Sequence, residues 1–186
     1  KSLDARTILL RNGWSPGEAT DIMLGIQFAE SKWTPPGGTE GAYLDAVGDI
    51  AGARLGPYPT KEAAQADYGA RKTSGKQVPI PVAYKQETFK GQTGWWAINT
   101  VWGCSVGGPQ IRCLDDPSSG NHADTFRDAA VLHDDPDAQA RAAWEISSHG
   151  TKFDLWSTYR NKSDLPYRGK DYTLRRGHPR AADWDM

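Results

Sequence analysis

Glu30 is the residue in this chain whose type and position best suit the handling of a proton. It closes the run Gly25-Ile26-Gln27-Phe28-Ala29-Glu30-Ser31-Lys32-Trp33. Upstream, Ser15 suits an N-cap, Pro16 the first helical position and Glu18 the third residue of a capping box. Ala19, Ile22, Met23, Ile26 and Ala29 then recur at helical spacing. Thr34-Pro35-Pro36-Gly37-Gly38 cannot extend that helix, so Glu30 falls in its last turn. Negative charge is disfavoured at a helix C-terminus, and partial burial beside an apolar stripe disfavours it further. Both effects raise a carboxyl pKa toward the range in which a general acid works near neutrality. By spacing alone, the same residue also reads as a solvated glutamate at a helix end.

The elements that must position it follow from local signals. Ser2 suits the cap of a first helix from Leu3 to about Asn12, ended by Gly13. Residues 34–59 are rich in Gly and Pro and read as loop, with short strands around Tyr43 and Val47. Thr60 caps a short helix running through Tyr68. Val78-Pro79-Ile80-Pro81-Val82 reads as extended, and its prolines bar it from a central strand. Residues 51–101 read as an inserted loop region on the side of the core, forming one wall of a binding cleft. Ala123 to Val131 reads as a short helix. Asp135 caps a clearer one, with Pro136 in its first turn and Gly150 beyond its end. Trp156 and Tyr159 fall on the next short element, and little regular structure is expected after Tyr167. The reading is one domain over residues 1–168 with a C-terminal tail, 169–186.

Composition removes several function classes. The chain has 186 residues and a formal net charge of −1, which gives no electrostatic footprint for nucleic acid. No apolar run approaches the ~20 residues of a membrane span, and no cleavable signal pattern opens the sequence. The sequence holds no P-loop, dinucleotide fingerprint, His-Glu-x-x-His or nucleophile elbow. His122, His133, His149 and His178 are scattered, and no calcium-loop spacing occurs, so no metal and no cofactor is expected. Eight tryptophans and seven tyrosines stand against four phenylalanines. Rings with an apolar face and a polar edge suit stacking on sugars, and they also fill cores. Cys104 and Cys113 face each other if the intervening segment turns about Gly107-Gly108; they read equally as a disulfide and as two packed thiols.

Four motifs in order carry a resemblance, the first of them a run in two parts. Ala29-Glu30-Ser31 at a helix end is followed by Asp45-Ala46-Val47-Gly48-Asp49, then by Trp102-Gly103-Cys104-Ser105-Val106-Gly107-Gly108-Pro109-Gln110-Ile111-Arg112-Cys113-Leu114. Next come the alanine-rich stretch from Asp135 to Ser147 and the run Phe153-Asp154-Leu155-Trp156-Ser157-Thr158-Tyr159. This order resembles the lysozyme-like lytic transglycosylases of actinobacteria and their phages. The chain departs from that pattern at Gly108 and Pro109, where a bulky apolar residue and an aromatic are usual, and at Cys104 and Cys113. A second segment, Gly94-Trp95-Trp96-Ala97-Ile98-Asn99, also resembles the motif but lacks the glutamine.

The resemblance implies an α+β, mainly α, lysozyme-like fold with a central helix ending at the catalytic Glu30. It implies cleavage of the β-1,4 bond between N-acetylmuramic acid and N-acetylglucosamine in peptidoglycan, by a monomer acting at the bacterial cell wall, phage-encoded or secreted. Most glycosidases use two carboxylates. Glu40, Asp45 and Asp49 are the candidates for the second, and Asp49 best fits the family's Val-Gly-Asp run. Without a second carboxylate, one glutamate serves as acid and then base while the substrate's own 6-hydroxyl attacks, leaving a 1,6-anhydro sugar. Gln110 is the implied sugar-binding amide, Ser105 a hydroxyl steadying the acid, and Tyr159 a late tyrosine near it. A glycan-binding module that has lost catalysis, and an enzyme acting on chitin, are the competing readings.

Overall fold

The computed structural model describes residues 4–48, 54–76, 78–79, 82–99, 104–113 and 129–181. Helices and antiparallel strands share the chain, which is α+β. Contacts divide it into two units. Of the described residues, the first takes in 4–46, 106–111 and 129–178, and the second the remainder.

In the first unit, α1 (Ala5–Arg11) buries Ala5, Ile8 and Leu9, one stripe at helical spacing. Gly13, at φ +98°, ends it as expected. The expected cap and first residue, Ser2 and Leu3, lie outside the described residues. Helix α2 (Glu18–Ser31) follows. It starts later than its capping signals suggest. Gly17, at φ +130°, precedes it, and Ser15 supplies its carbonyl to the Thr20 hydroxyl instead of its side chain to a cap. Pro16-Gly17 therefore makes a turn, because only glycine adopts that backbone without strain. Residues 22–27 are buried without a break, so the middle of α2 is enclosed on every side within this unit.

After α2 the strand β1 (Lys32–Trp33) pairs antiparallel with β2 (Gly41–Ala42). Ser31 closes the helix by donating to the Gln27 carbonyl at 2.8 Å and accepts from the Tyr43 amide at 3.2 Å. Helices α4 (Ala129–Asp134) and α5 (Pro136–Ile146) come later in the chain. The Asp135 carboxylate caps α5 by accepting from the amides of Asp137 and Ala138, as its position predicts. Arg11 grips Asp137 with two bonds of 2.6 and 2.7 Å, tying α1 to α5. Trp14, Trp144, Phe153 and Trp156 then form a chain of ring contacts leading to α6 (Ser157–Arg160) and a 3-10 helix, Leu165–Tyr167. Among the described residues no helix or strand follows. The segment is nonetheless stitched down: Asp4 bridges to Thr173, Tyr43 bridges to Arg175, and Leu174 is buried.

The second unit holds regular structure over much of the stretch that reads as inserted loop, residues 51–101. It contains β3 (Val47–Gly48), β4 (Arg54–Tyr58), α3 (Lys61–Thr73), β5 (Val82–Phe89) and β6 (Gln92–Asn99). The order β4-β6-β5 is antiparallel, with β6 in the centre. Lys90 and Gly91 both take positive φ and join β5 to β6 as a two-residue hairpin turn. Leu55, Val78 and Ala97 form its core, covered by Tyr58, Tyr68, Val82 and Tyr84. Thr60 caps α3 through its hydroxyl at 3.1 Å, and α3 runs on to Thr73, beyond the expected end. β5, which opens at Val82, lies at the edge of this sheet, as the proline-rich approach to it requires. β5 shows a largely exposed polar face, which is why its sequence resembles loop.

A further sheet orders β3 beside β7 (Cys104–Val106) and β7 beside β8 (Ile111–Cys113). A four-residue turn joins β7 to β8, closed by the Gln110 amide on the Gly107 carbonyl at 3.1 Å. Cys104 and Cys113 stand at the end of this hairpin away from its turn. The choice between a disulfide and two packed thiols falls on side chains outside the described ones; Asp49 and most of the helix expected over 123–131 also lie outside the described residues.

Candidate active site

Glu30 lies in the last turn of α2, half-buried. Loss of hydration raises its pKa above the ordinary 4.5. Three weaker effects oppose this: the Thr158 hydroxyl, the Thr158 main-chain N–H and the charge of Arg160. The hydroxyl bond is direct, with Thr158 Oγ1 donating to Glu30 Oε2 at 2.9 Å. Among the described residues Glu30 makes no ion pair. A carboxyl group that is desolvated, held by one hydroxyl and left without a salt bridge can keep its proton to higher pH than an exposed glutamate and still release it.

The partner reaches Glu30 because α6 is anchored from several sides. Trp156 precedes α6, is 6% exposed, and donates its indole N–H to the Pro109 carbonyl at 2.8 Å. Arg160 donates to the Asp154 carbonyl at 2.6 Å. The turn that receives Trp156 is itself fixed. A Cβ on Gly108 would come within 2.7 Å of the Gln27 side chain, so glycine at this position lets the turn close on α2. Gln139, 1% exposed, accepts from the Gly108 amide at 3.2 Å and donates to the carbonyls of Leu44 and Leu132 at 3.0 and 2.8 Å. The two departures at 108 and 109 thus have structural roles: one permits a close approach and the other supplies a carbonyl.

The remaining candidates are distributed as follows. Gln110, at φ +52°, spends its amide nitrogen on the carbonyls of Ala46 and Gly107 at 2.9 and 2.8 Å. Its Oε1 makes no hydrogen bond to a described residue. Tyr159 follows Thr158 on α6, its ring 5.7 Å from Phe153 and 5.4 Å from the Arg168 guanidinium. Ser105 lies half-buried in β7 and groups with the second unit, as does the competing segment Gly94 to Asn99 in β6. Asp45 is 5% exposed, and both its oxygens are taken by main-chain amides, Gly177 at 2.6 Å and His178 at 3.3 Å. Glu40 is exposed and accepts from the Tyr167 hydroxyl at 3.3 Å. Asp49 lies outside the described residues. Thr158 was not singled out from the sequence, where a threonine between Ser157 and Tyr159 carries no motif of its own.

Residues 71–158 match the family model of a lysozyme-like domain. The match supports the lysozyme-like superfamily over just under half of the chain. It takes in Ser105, Gln110 and α5, and ends at Thr158. Glu30, Glu40, Asp45 and Asp49 all precede it, and Tyr159 follows it. Lysozyme-like domains are in general peptidoglycan glycosidases that act on the cell wall. No curated protein and no solved structure matches the chain. Among the described residues, no helix is long and apolar enough to cross a membrane. Also among them, no three His, Cys, Asp or Glu side chains gather as metal ligands would.

Proposed function

We propose that this protein is a peptidoglycan-cleaving glycosidase with Glu30 as its general acid and base. The observation that carries the reading is the state of Glu30: a desolvated carboxyl, held by Thr158 and free of an ion pair among the described residues. The lysozyme-like match supports the substrate class. In the first step Glu30 gives its proton to the oxygen bridging two sugars, the C1–O bond breaks, and positive charge develops at C1. In the second step the Glu30 carboxylate takes a proton from the attacking oxygen as that oxygen bonds to C1.

Two attackers are chemically competent, water and the substrate's own 6-hydroxyl. Asp45 is bound by two amides and Glu40 is exposed, which disfavours both as the second carboxylate. That favours the route needing one carboxylate and an anhydro product, with Asp49 the remaining candidate if water attacks. In this reading Gln110 Oε1 accepts the N–H of an N-acetyl group and Tyr159 flanks the acid. Mass spectrometry of the released muropeptides separates the routes: free reducing ends mean hydrolysis and 1,6-anhydro ends mean transglycosylation.

The deciding experiment is clearing of purified cell walls by the wild type and by Glu30→Gln. Loss of a positioned general acid is expected to slow clearing by about 100-fold or more. Equal clearing by the two proteins overturns the assignment of Glu30. Binding without clearing by the wild type would instead identify a glycan-binding module.

A further inference from the structure

We propose that Thr158 is the positioning residue of Glu30: its hydroxyl fixes the carboxyl and sets the affinity with which the carboxyl holds its proton. The proposal rests on the reading of Glu30 as the acid. It begins with the one side-chain hydrogen bond that Glu30 makes among the described residues, from Thr158 Oγ1 to Oε2 at 2.9 Å. The two residues are 128 positions apart in sequence, so the contact exists only because α6 is held against the end of α2.

A threonine hydroxyl suits this task. It donates to Oε2 whether the carboxyl is ionised or protonated on its other oxygen, so the side chain need not move as the proton leaves and returns. The bond is stronger to the ionised form, which draws the proton affinity down and opposes the effect of burial. An acid raised by desolvation alone would hold its proton well but serve poorly as the base of the second step. By drawing the proton affinity down, the hydroxyl helps the group act as base as well as acid.

Few other groups compete for this role. On α6, Arg160 acts on Glu30 through space while its guanidinium donates to the Asp154 carbonyl. Tyr159, its neighbour, faces Phe153 and Arg168. Of the cations on the other elements packed against α2, Arg6 pairs with Asp21, Arg11 with Asp137, and Arg168 with Asp164. Lys32, which opens β1, sits 5.5 Å over the Tyr167 ring of the 3-10 helix. None of them is placed as Thr158 is. β-Branching adds stiffness, because the threonine side chain has few rotamers to lose.

The test is a direct titration of Glu30 in the full chain. Glutamate is labelled with 13C at its carboxyl carbon, and the Glu30 signal is identified by its absence in Glu30→Gln. The wild type, Thr158→Val and Thr158→Ser are then titrated, and cell-wall clearing is followed across the same pH range. Thr158→Val is expected to move the Glu30 midpoint up by roughly half a pH unit or more, because it removes a charge-assisted bond while keeping the shape. The clearing optimum is expected to move the same way, and Thr158→Ser to restore both. If Thr158→Val does not fold, Thr158→Ala carries the same comparison. A midpoint unchanged in the hydroxyl-free variant, or moved equally by serine, overturns the proposal. A shifted midpoint in a protein that clears no cell wall would uphold the pairing and reject the glycosidase reading.

Discussion

At the scale of single residues, the pKa of Glu30 links the site to stability. Its folded pKa is raised, so the folded state holds this proton more tightly than the unfolded chain does. The resulting stabilisation is complete below the ordinary value of 4.5 and is lost as pH rises through the folded pKa. Glu30→Gln keeps an acceptor for Thr158 but no longer ionises. The variant is therefore expected to melt above the wild type at pH 7, with the difference closing toward pH 4. A difference independent of pH would show that burial does not govern this carboxyl. Asp45 shows a structural use of a buried carboxyl group, with both oxygens occupied by the amides of Gly177 and His178. Its chemistry is consumed in holding the segment after the 3-10 helix.

At the scale of elements, the strongest local signals sit at helix ends. Asp135 caps α5 through two amides, and α5 carries Gln139 on its buried face. Asp135→Ala is expected to cost about 1 kcal/mol. For a chain of this length that lowers the melting temperature by about 2–4 °C, measured by circular dichroism at 222 nm. An unchanged melting temperature would mean that packing alone holds α5. Capping was legible because its partners lie two and three residues away. The start of α2 was not, because Ser15 and Pro16 carry the same letters in a turn as in a cap, and the backbone of Gly17 decides between them.

At the scale of the whole molecule, the chain crosses repeatedly between two units, each with a core of its own. Within the first, Gln139 is a buried polar group that joins distant segments. It bonds to residue 44 before the second unit begins, to the β7–β8 turn at 108, and to residue 132 on α4. Replacing it by alanine leaves two carbonyls and one amide without their partner in a buried place. The expected cost is about 2–4 kcal/mol, or a fall of about 5–15 °C in melting temperature. A loss under 1 kcal/mol would mean that water takes over those bonds. The same change is expected to slow cell-wall clearing, since the turn that Gln139 pins also receives Trp156 and so positions α6.

The sequence by itself determined where α2 stops, that Glu30 occupies its last turn, and how α1, α3 and α5 begin or end. Each rests on partners a few residues apart, whose geometry the peptide backbone fixes locally. Only the tertiary structure decided which hydroxyl holds Glu30, what Asp45 and the Gln110 amide nitrogen are spent on, and that the polar stretch around β5 is a sheet edge. Those outcomes depend on groups brought together from distant positions. Thr158 meets Glu30 because a buried tryptophan anchors a short helix to a turn that glycine allows to close against α2, and no local pattern of residues encodes that sequence of contacts.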